Sequence, residues 1–282
     1  MAMKRYKPNT PGTRGMTVVK YKDFLTTNKP NKKLTVGQAN KSARNGFGRI
    51  TTRFRGGGVK RNYRLIDFKF DKFDIPAKIE TVEYDPYRSA FVSIALYADG
   101  ERRYIITPKG MTAGDEFIVS EKAKVKNGNR MALKNIPVGT FVFGVEIKPK
   151  SGAKLARSAG NSIEVVAHDA GKVHLKMPSS EVRLVSEDCM ATIGEASNDQ
   201  HKLTNIGKAG RARKMGRRPK VRGSAMNPVD HPHGGGEGKA GRGRRRQITK
   251  WGKPSGKGQK TRSPKKYSNA LIVKRRKVGK RK

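Results

Sequence analysis

The sequence predicts a mainly β protein: two small barrels in the middle of the chain, carried between long basic arms. Charge is the first of three observations that predict it. Residues 1–60 hold fifteen Lys and Arg against one acid, Asp23, and residues 61–200 hold twenty-one against nineteen. Residues 201–282 hold twenty-eight against Asp230 and Glu237, so the balances along the chain are +14, +2 and +26. Second, the near-neutral middle carries most of the aromatic and β-branched residues, in short runs of alternating character. Third, those runs recur roughly every 8–12 residues between turn signals, the spacing of small all-β domains.

The first group of about five strands starts where Ile66, Phe68 and Phe70 alternate. Ala77 to Tyr84 follows, ending at the Asp85-Pro86 break. Ala90, Val92, Ile94 and Leu96 alternate with Phe91, Ser93, Ala95 and Tyr97, and Asp99-Gly100 supplies a two-residue hairpin turn. Arg103 to Thr107 returns as the partner, and Phe117 to Val119 closes the group. An amide-rich break at 122–130 separates a second group. There Phe141, Phe143, Val145 and Ile147 share one face, and Ile163, Val165 and Ala167 another. Val173, Leu175 and Met177 interleave with Lys172, His174 and Lys176, one face for a core and one for water. Val182 to Val185 and Cys189 to Ile193 complete the set.

The arms show no sustained period. Leu203, Ile206 and Ala209 allow a helical turn or two, which Gly207 and Gly210 weaken. Residues 201–282 contain only nine Leu, Ile or Val and no Phe, below the roughly 20% at which a charged segment is expected to be disordered alone. Cys189 is the only cysteine, so no internal disulfide forms, and a small buried hydrophobe is its expected role. No signal-peptide core and no run approaching ~18 apolar residues is present, so the expectation is a cytoplasmic protein without a membrane span.

Enzymatic signatures are thin. No Gly-Lys is followed by Ser or Thr, which excludes a Walker A loop. Gly236, Gly238 and Gly241 fit GxGxxG without a preceding strand, a chance match in glycine-rich sequence. The run 227–237 (NPVDHPHGGGE) carries more chemistry. Asp230, His231 and His233 could begin a zinc site, but the set is incomplete without a cysteine pair. His231 oriented by Asp230 could act as a general acid or base. The reading the composition favours is a tight Pro/Gly loop in an RNA groove, its histidines stacking or hydrogen-bonding. No cofactor is expected, and magnesium only as a counterion of RNA.

The stretch 49–64 offers more than a solvated linker. Arg49, Arg53, Arg55, Lys60, Arg61 and Arg64 can bridge phosphates, glycines 56–58 allow close backbone approach, and Phe54 and Tyr63 offer stacking faces. The same logic covers Arg211, Arg213, Arg217, Arg218 and Arg222, then Arg242, Arg244, Arg245 and Arg246. Trp251, the only tryptophan, reads as a stacking or wedging group in polar surroundings. Arms this cationic need a dense polyanion, and duplex nucleic acid carries a charge about every 1.7 Å of axis.

These segments also carry a family resemblance. The runs 48–64 (GRITTRFRGGGVKRNYR), 83–89 (EYDPYRS), 99–108 (DGERRYIITP), 155–160 (LARSAG), 192–195 (TIGE) and 221–238 (VRGSAMNPVDHPHGGGEG) resemble the bacterial form of large-ribosomal-subunit protein two, in order and over nearly the whole chain. The resemblance implies an OB-like barrel followed by an SH3-like barrel. The expected domains are a basic extension over 1–60, the OB-like barrel over 61–125, the SH3-like barrel over 126–200, and a basic Gly-rich extension over 201–282. It implies arms threaded into 23S-type ribosomal RNA, help in assembling the peptidyl-transferase region, and contacts with tRNA, the small subunit and neighbouring ribosomal proteins. It also implies that the His231 loop points toward the peptidyl-transferase region, where the catalyst is RNA and His231 is architectural. Phe54 and Val59 stand where relatives often have His, which argues against chemistry by those side chains. The alternatives are direct participation of His231 in peptide-bond formation, or a DNA-compacting basic protein. Two barrels with stacking aromatics suit RNA better than duplex DNA.

Overall fold

The computed structural model describes residues 3–39, 42–256, 259 and 261–276. It resolves two compact units. The first comprises 1–39, 60–211 and 270–282, and the second 40–59 and 212–269, so each basic arm contributes to both.

All fifteen strands of the described residues belong to the first unit. β1 (Met3–Arg5) pairs with β2 (Thr17–Val19), and β3 (Thr35–Gly37) with β4 (Asn62–Arg64), each antiparallel. β5 (Ala77–Glu83), β6 (Val92–Tyr97), β7 (Arg102–Ile106) and β8 (Glu116–Phe117) form a four-stranded sheet in the order β7-β6-β5-β8. The second sheet takes β9 (Arg130–Ala132), β10 (Phe141–Phe143), β11 (Ile163–Asp169), β12 (Lys172–Lys176), β13 (Val182–Ser186), β14 (Met190–Ile193) and β15 (Ile272–Lys274). Its order is β15-β13-β12-β11-β10-β14-β9. The fold is mainly β, OB-like and then SH3-like. Two short helices, α1 (Pro11–Arg14) and α2 (Ala209–Lys214), lie in the basic arms.

Alternation sets these strands. On β12, Val173 and Leu175 are fully buried while Lys172 and Lys176 stay in water, and Val173 faces Val185 across the ladder. Cys189, just before β14, is fully buried in the same core, and burial pushes its thiol up to about 12. The two sheets share apolar packing: Ile79, Tyr97 and Phe117 lie in one cluster with Ala132, Ala153 and Met190.

Three expectations differ from the structure. Residues 66–70 form no strand, because the Asp67 carboxylate accepts the amides of Lys69 and Phe70 at 2.9 Å and turns the chain. The β6–β7 loop has three residues, Ala98 to Gly100. Tyr97 and Glu101 close it through a 3.0 Å amide bond, and Gly100 (φ +84°) takes the left-handed position. The face expected from Phe141 to Ile147 stops at Phe143, where Gly144 turns at φ +57°.

At the junction of the sheets sits a buried ion pair. Arg130, 1% exposed, reaches Glu146 at 3.1 Å and donates to the Gly144 carbonyl at 2.8 Å. Glu146 also accepts the amides of Lys150, Gly152 and Met190. The Arg130 guanidinium lies 4.6 Å from the Phe70 ring centroid. Burial lowers its pKa to about 10, which leaves it charged at neutral pH against Glu146.

Candidate nucleic-acid interface

The second unit is built from backbone bonds between distant segments. The amides of Gly56, Val59 and Arg218 donate to the carbonyls of Gly216, Lys214 and Phe54, each at 3.0 Å. Arg55 and Arg217 form an antiparallel bridge. The unit holds twenty-three Lys and Arg against two acids. Among the described residues none of those cations pairs with an acid, and no apolar side chain of the unit is buried. Unpaired and exposed, Arg49, Arg53, Arg55, Arg213, Arg217, Arg218, Arg222, Arg242, Arg244, Arg245 and Arg246 form a surface for anions.

Within that surface the Arg53 guanidinium lies 5.0 Å from the ring centroids of both Phe54 and Trp251. Thus three residues 198 positions apart at the extremes meet in one cation–π cluster.

The histidine loop is held by its own backbone. The His233 amide donates to His231 Nδ1 at 3.1 Å, and the Ile248 amide donates to His233 Nε2 at 3.3 Å. Each bond uses a ring lone pair, so neutral His231 carries its proton on Nε2 and neutral His233 on Nδ1. The ring centroids are 4.8 Å apart. His231 also lies against Gly223, where an added Cβ would fall 2.5 Å from the ring. His233 is 7% exposed, and burial, helped by His231, Arg242 and Arg244, lowers its pKa from the usual histidine range. The orienting bond to His231 comes from an amide, not from Asp230, which is exposed. Among the described residues no three His, Cys, Asp or Glu side chains cluster closely enough to hold a metal ion.

The first unit carries its own cluster of arginines and rings. The Arg61 guanidinium sits 4.4 Å from the Tyr87 centroid, and Arg88 sits 5.2 Å from that of Tyr63. The Tyr63 and Tyr87 rings meet edge to face at 5.3 Å. Fully buried Asp85 pairs with Arg88 and accepts the Tyr87 amide at 2.8 Å, fixing the turn that presents both. Phe68 receives Arg88 at 5.6 Å and Arg157 at 4.7 Å.

Of the residues expected from sequence, Lys60 is exposed and Arg61, Tyr63 and Arg211 are half-buried in the first unit. Arg64 differs from them: it is 7% exposed, donates to the Asn62 carbonyl at 3.2 Å, and its charge acts on buried Glu83. Phe68, Tyr87, Arg88 and Arg157 are absent from the sequence-derived set although two of their runs, EYDPYRS and LARSAG, stood out as motifs. Single arginines among ordinary residues lack the charge density that marks the arms.

A β fold with arginine–aromatic clusters and a cationic surface without acid partners has the features of an RNA-binding protein. Residues 31–120 match the family model described as "Ribosomal Proteins L2, RNA binding N-terminal domain", and residues 126–252 match "Ribosomal Proteins L2, C-terminal domain". The chain belongs to the ribosomal protein L2 family, whose members are structural RNA-binding proteins of the large ribosomal subunit.

Proposed function

We propose that the chain helps assemble the peptidyl-transferase region of the large subunit and supports subunit association and tRNA binding during translation. The observation that carries this is the second unit: twenty-three cations, two acids, no ion pair and no buried apolar side chain among its described residues. Such a segment gains its stability from what it binds, and phosphates packed inside a folded RNA supply the missing charge. The partners in this reading are 23S-type rRNA, neighbouring ribosomal proteins, and tRNA and the small subunit at the interface. The setting is the cytoplasm, and magnesium enters only as a counterion of the RNA.

His231 is architectural in this reading. A general base needs a free lone pair, but Nδ1 is occupied by the His233 amide and Nε2 carries the proton. What remains is a fixed N–H donor, suited to an RNA acceptor such as a phosphate or carbonyl oxygen. A competition of folded rRNA fragments against duplex DNA tests the polyanion, and preference for DNA would favour a compacting role. His231→Ala tests the chemistry: assembly and activity should fall together, and loss of activity in fully assembled subunits would restore a catalytic role.

A further inference from the structure

We propose that Trp251, Arg53 and Phe54 form a preformed cradle for one unstacked nucleobase, a single-stranded nucleotide held by its π-face as well as its phosphate. The proposal rests on the RNA-binding reading above and names the part of the RNA that this site takes.

Trp251 sits at the tip of a short hairpin in the second unit. The Thr249 amide donates to the Lys253 carbonyl at 2.8 Å, and the Gly252 amide donates to the Thr249 carbonyl at 3.0 Å. The loop therefore has three residues, Lys250, Trp251 and Gly252, with Gly252 (φ +75°) in the left-handed position that such loops require. Below the loop, Ile248 and Pro254 bridge, Ser255 bonds to Gln247, and the Ile248 amide is the donor to His233. The tip is thus fixed at its base and presents its ring outward.

Trp251 is 64% exposed, with two cations close to its indole. Arg53 lies 5.0 Å from the ring centroid and Lys250 Nζ 5.6 Å. Two cations against one indole, with no acid paired to either, leave room for a partner that is flat and anionic at once. A nucleotide is both. A protein segment offering only carboxylates would use the cations and waste the ring.

Phe54 supplies the independent observation. Its backbone sits at φ +64°, a conformation that a bulky L-residue adopts only when its surroundings impose it. The Arg218 amide bond to the Phe54 carbonyl holds it there, and the ring then lies 5.0 Å from Arg53. The strained backbone is kept while the Arg53 guanidinium lies 5.0 Å from both ring centroids. A solvated linker would relax it.

The lone tryptophan makes the test direct, because all indole emission reports this position. The full chain is titrated with single-stranded oligoadenylate and, separately, with inorganic polyphosphate, which supplies charge without bases. Both titrations are run at raised salt, where purely electrostatic binding weakens. Oligoadenylate should quench Trp251 and polyphosphate should not, at matched occupancy. Trp251→Ala should weaken oligoadenylate about tenfold and leave polyphosphate affinity unchanged, and Trp251→Phe should recover most of the loss. Arg53→Lys, which keeps the charge and removes the plane, should fall between them. Equal quenching by polyphosphate, or unchanged oligoadenylate affinity in Trp251→Ala, overturns the cradle while leaving RNA binding intact. Wild-type protein that binds neither oligoadenylate nor folded rRNA overturns the cradle and the RNA-binding reading together.

Discussion

The two units reach order by opposite means. In the first, Val165, Val173 and Leu175 are fully buried, cations meet acids at Arg103–Asp67 and Arg102–Glu80, and even Arg130 has its carboxylate inside. In the second, no apolar side chain is buried among the described residues, and the described arginines meet rings, neutral oxygens or solvent rather than acids. Burying apolar area stabilises a chain by itself, whereas unpaired like charges oppose compaction until counter-charge arrives. The lesson is a division of labour: one unit is ordered around an apolar core with paired charges, the other around backbone bonds with its cations left for a counter-charge.

The largest effect should appear in hydrogen exchange of the RNA-free protein. Amides of β11 and β12 should be protected by orders of magnitude more than those of 212–256, which have backbone bonds but no core. Uniform protection across both would break the comparison. Next in size is the ion pair of the body. Glu146→Leu strands a buried guanidinium and should cost about 3–5 kcal/mol in chemical denaturation. Adding Arg130→Met should recover most of that loss, and failure to recover would mean the site acts through packing rather than charge.

The second unit is sharpened by salt. Replacing Arg244, Arg245 and Arg246 together with Ala should lower the slope of log affinity against log salt by about 0.7–0.9 for each phosphate these arginines neutralise. An unchanged slope would remove them from the interface. A smaller effect is expected at Arg157, which stacks on Phe68 at the surface of the body. Its change to Ala removes one exposed cation and should weaken rRNA binding by only a few-fold in a titration at fixed salt.

The smallest effect is acid sensitivity of the histidine loop. Folding lowers the His233 pKa, so as pH falls below about 6.5 the opened loop takes up a proton before the closed one does. Loop stability is therefore full at neutral pH and declines on acidification. An NMR titration should place the His233 midpoint below 6.5; a midpoint above it would mean that burial and the neighbouring cations do not keep the ring neutral.

Much of the β body was legible in the sequence, because alternation at period two is a local signal. β5, β6, β11 and β12 lie where Ala77–Tyr84, Ala90–Tyr97, Ile163–Ala167 and Val173–Met177 predict them. Residues 66–70 misled for an equally local reason: their pattern fits a strand, but one carboxylate, Asp67, caps the next amides. β1 to β4 and β15 left no signal, being three residues long in basic sequence. β15 exists because β13, some ninety residues earlier, offers it an edge through Val182 and Lys274. At the candidate site, charge density pointed to the arms and missed Arg88 and Arg157, whose meaning comes from Tyr63 and Phe68 beside them.

By itself the sequence determined the quantities that depend on composition and neighbours: an apolar period that builds sheets, and a cationic excess that calls for a polyanion. Only the tertiary structure decided which distant residues share a place. It set Arg53 beside Trp251, Glu146 beside Arg130, and the amide of Ile248 on the ring of His233. The reason is physical: local pattern fixes which face of a segment is buried, but the partner of that face is chosen by closing loops tens to hundreds of residues long. That choice is made by packing and hydrogen-bond satisfaction across the whole chain.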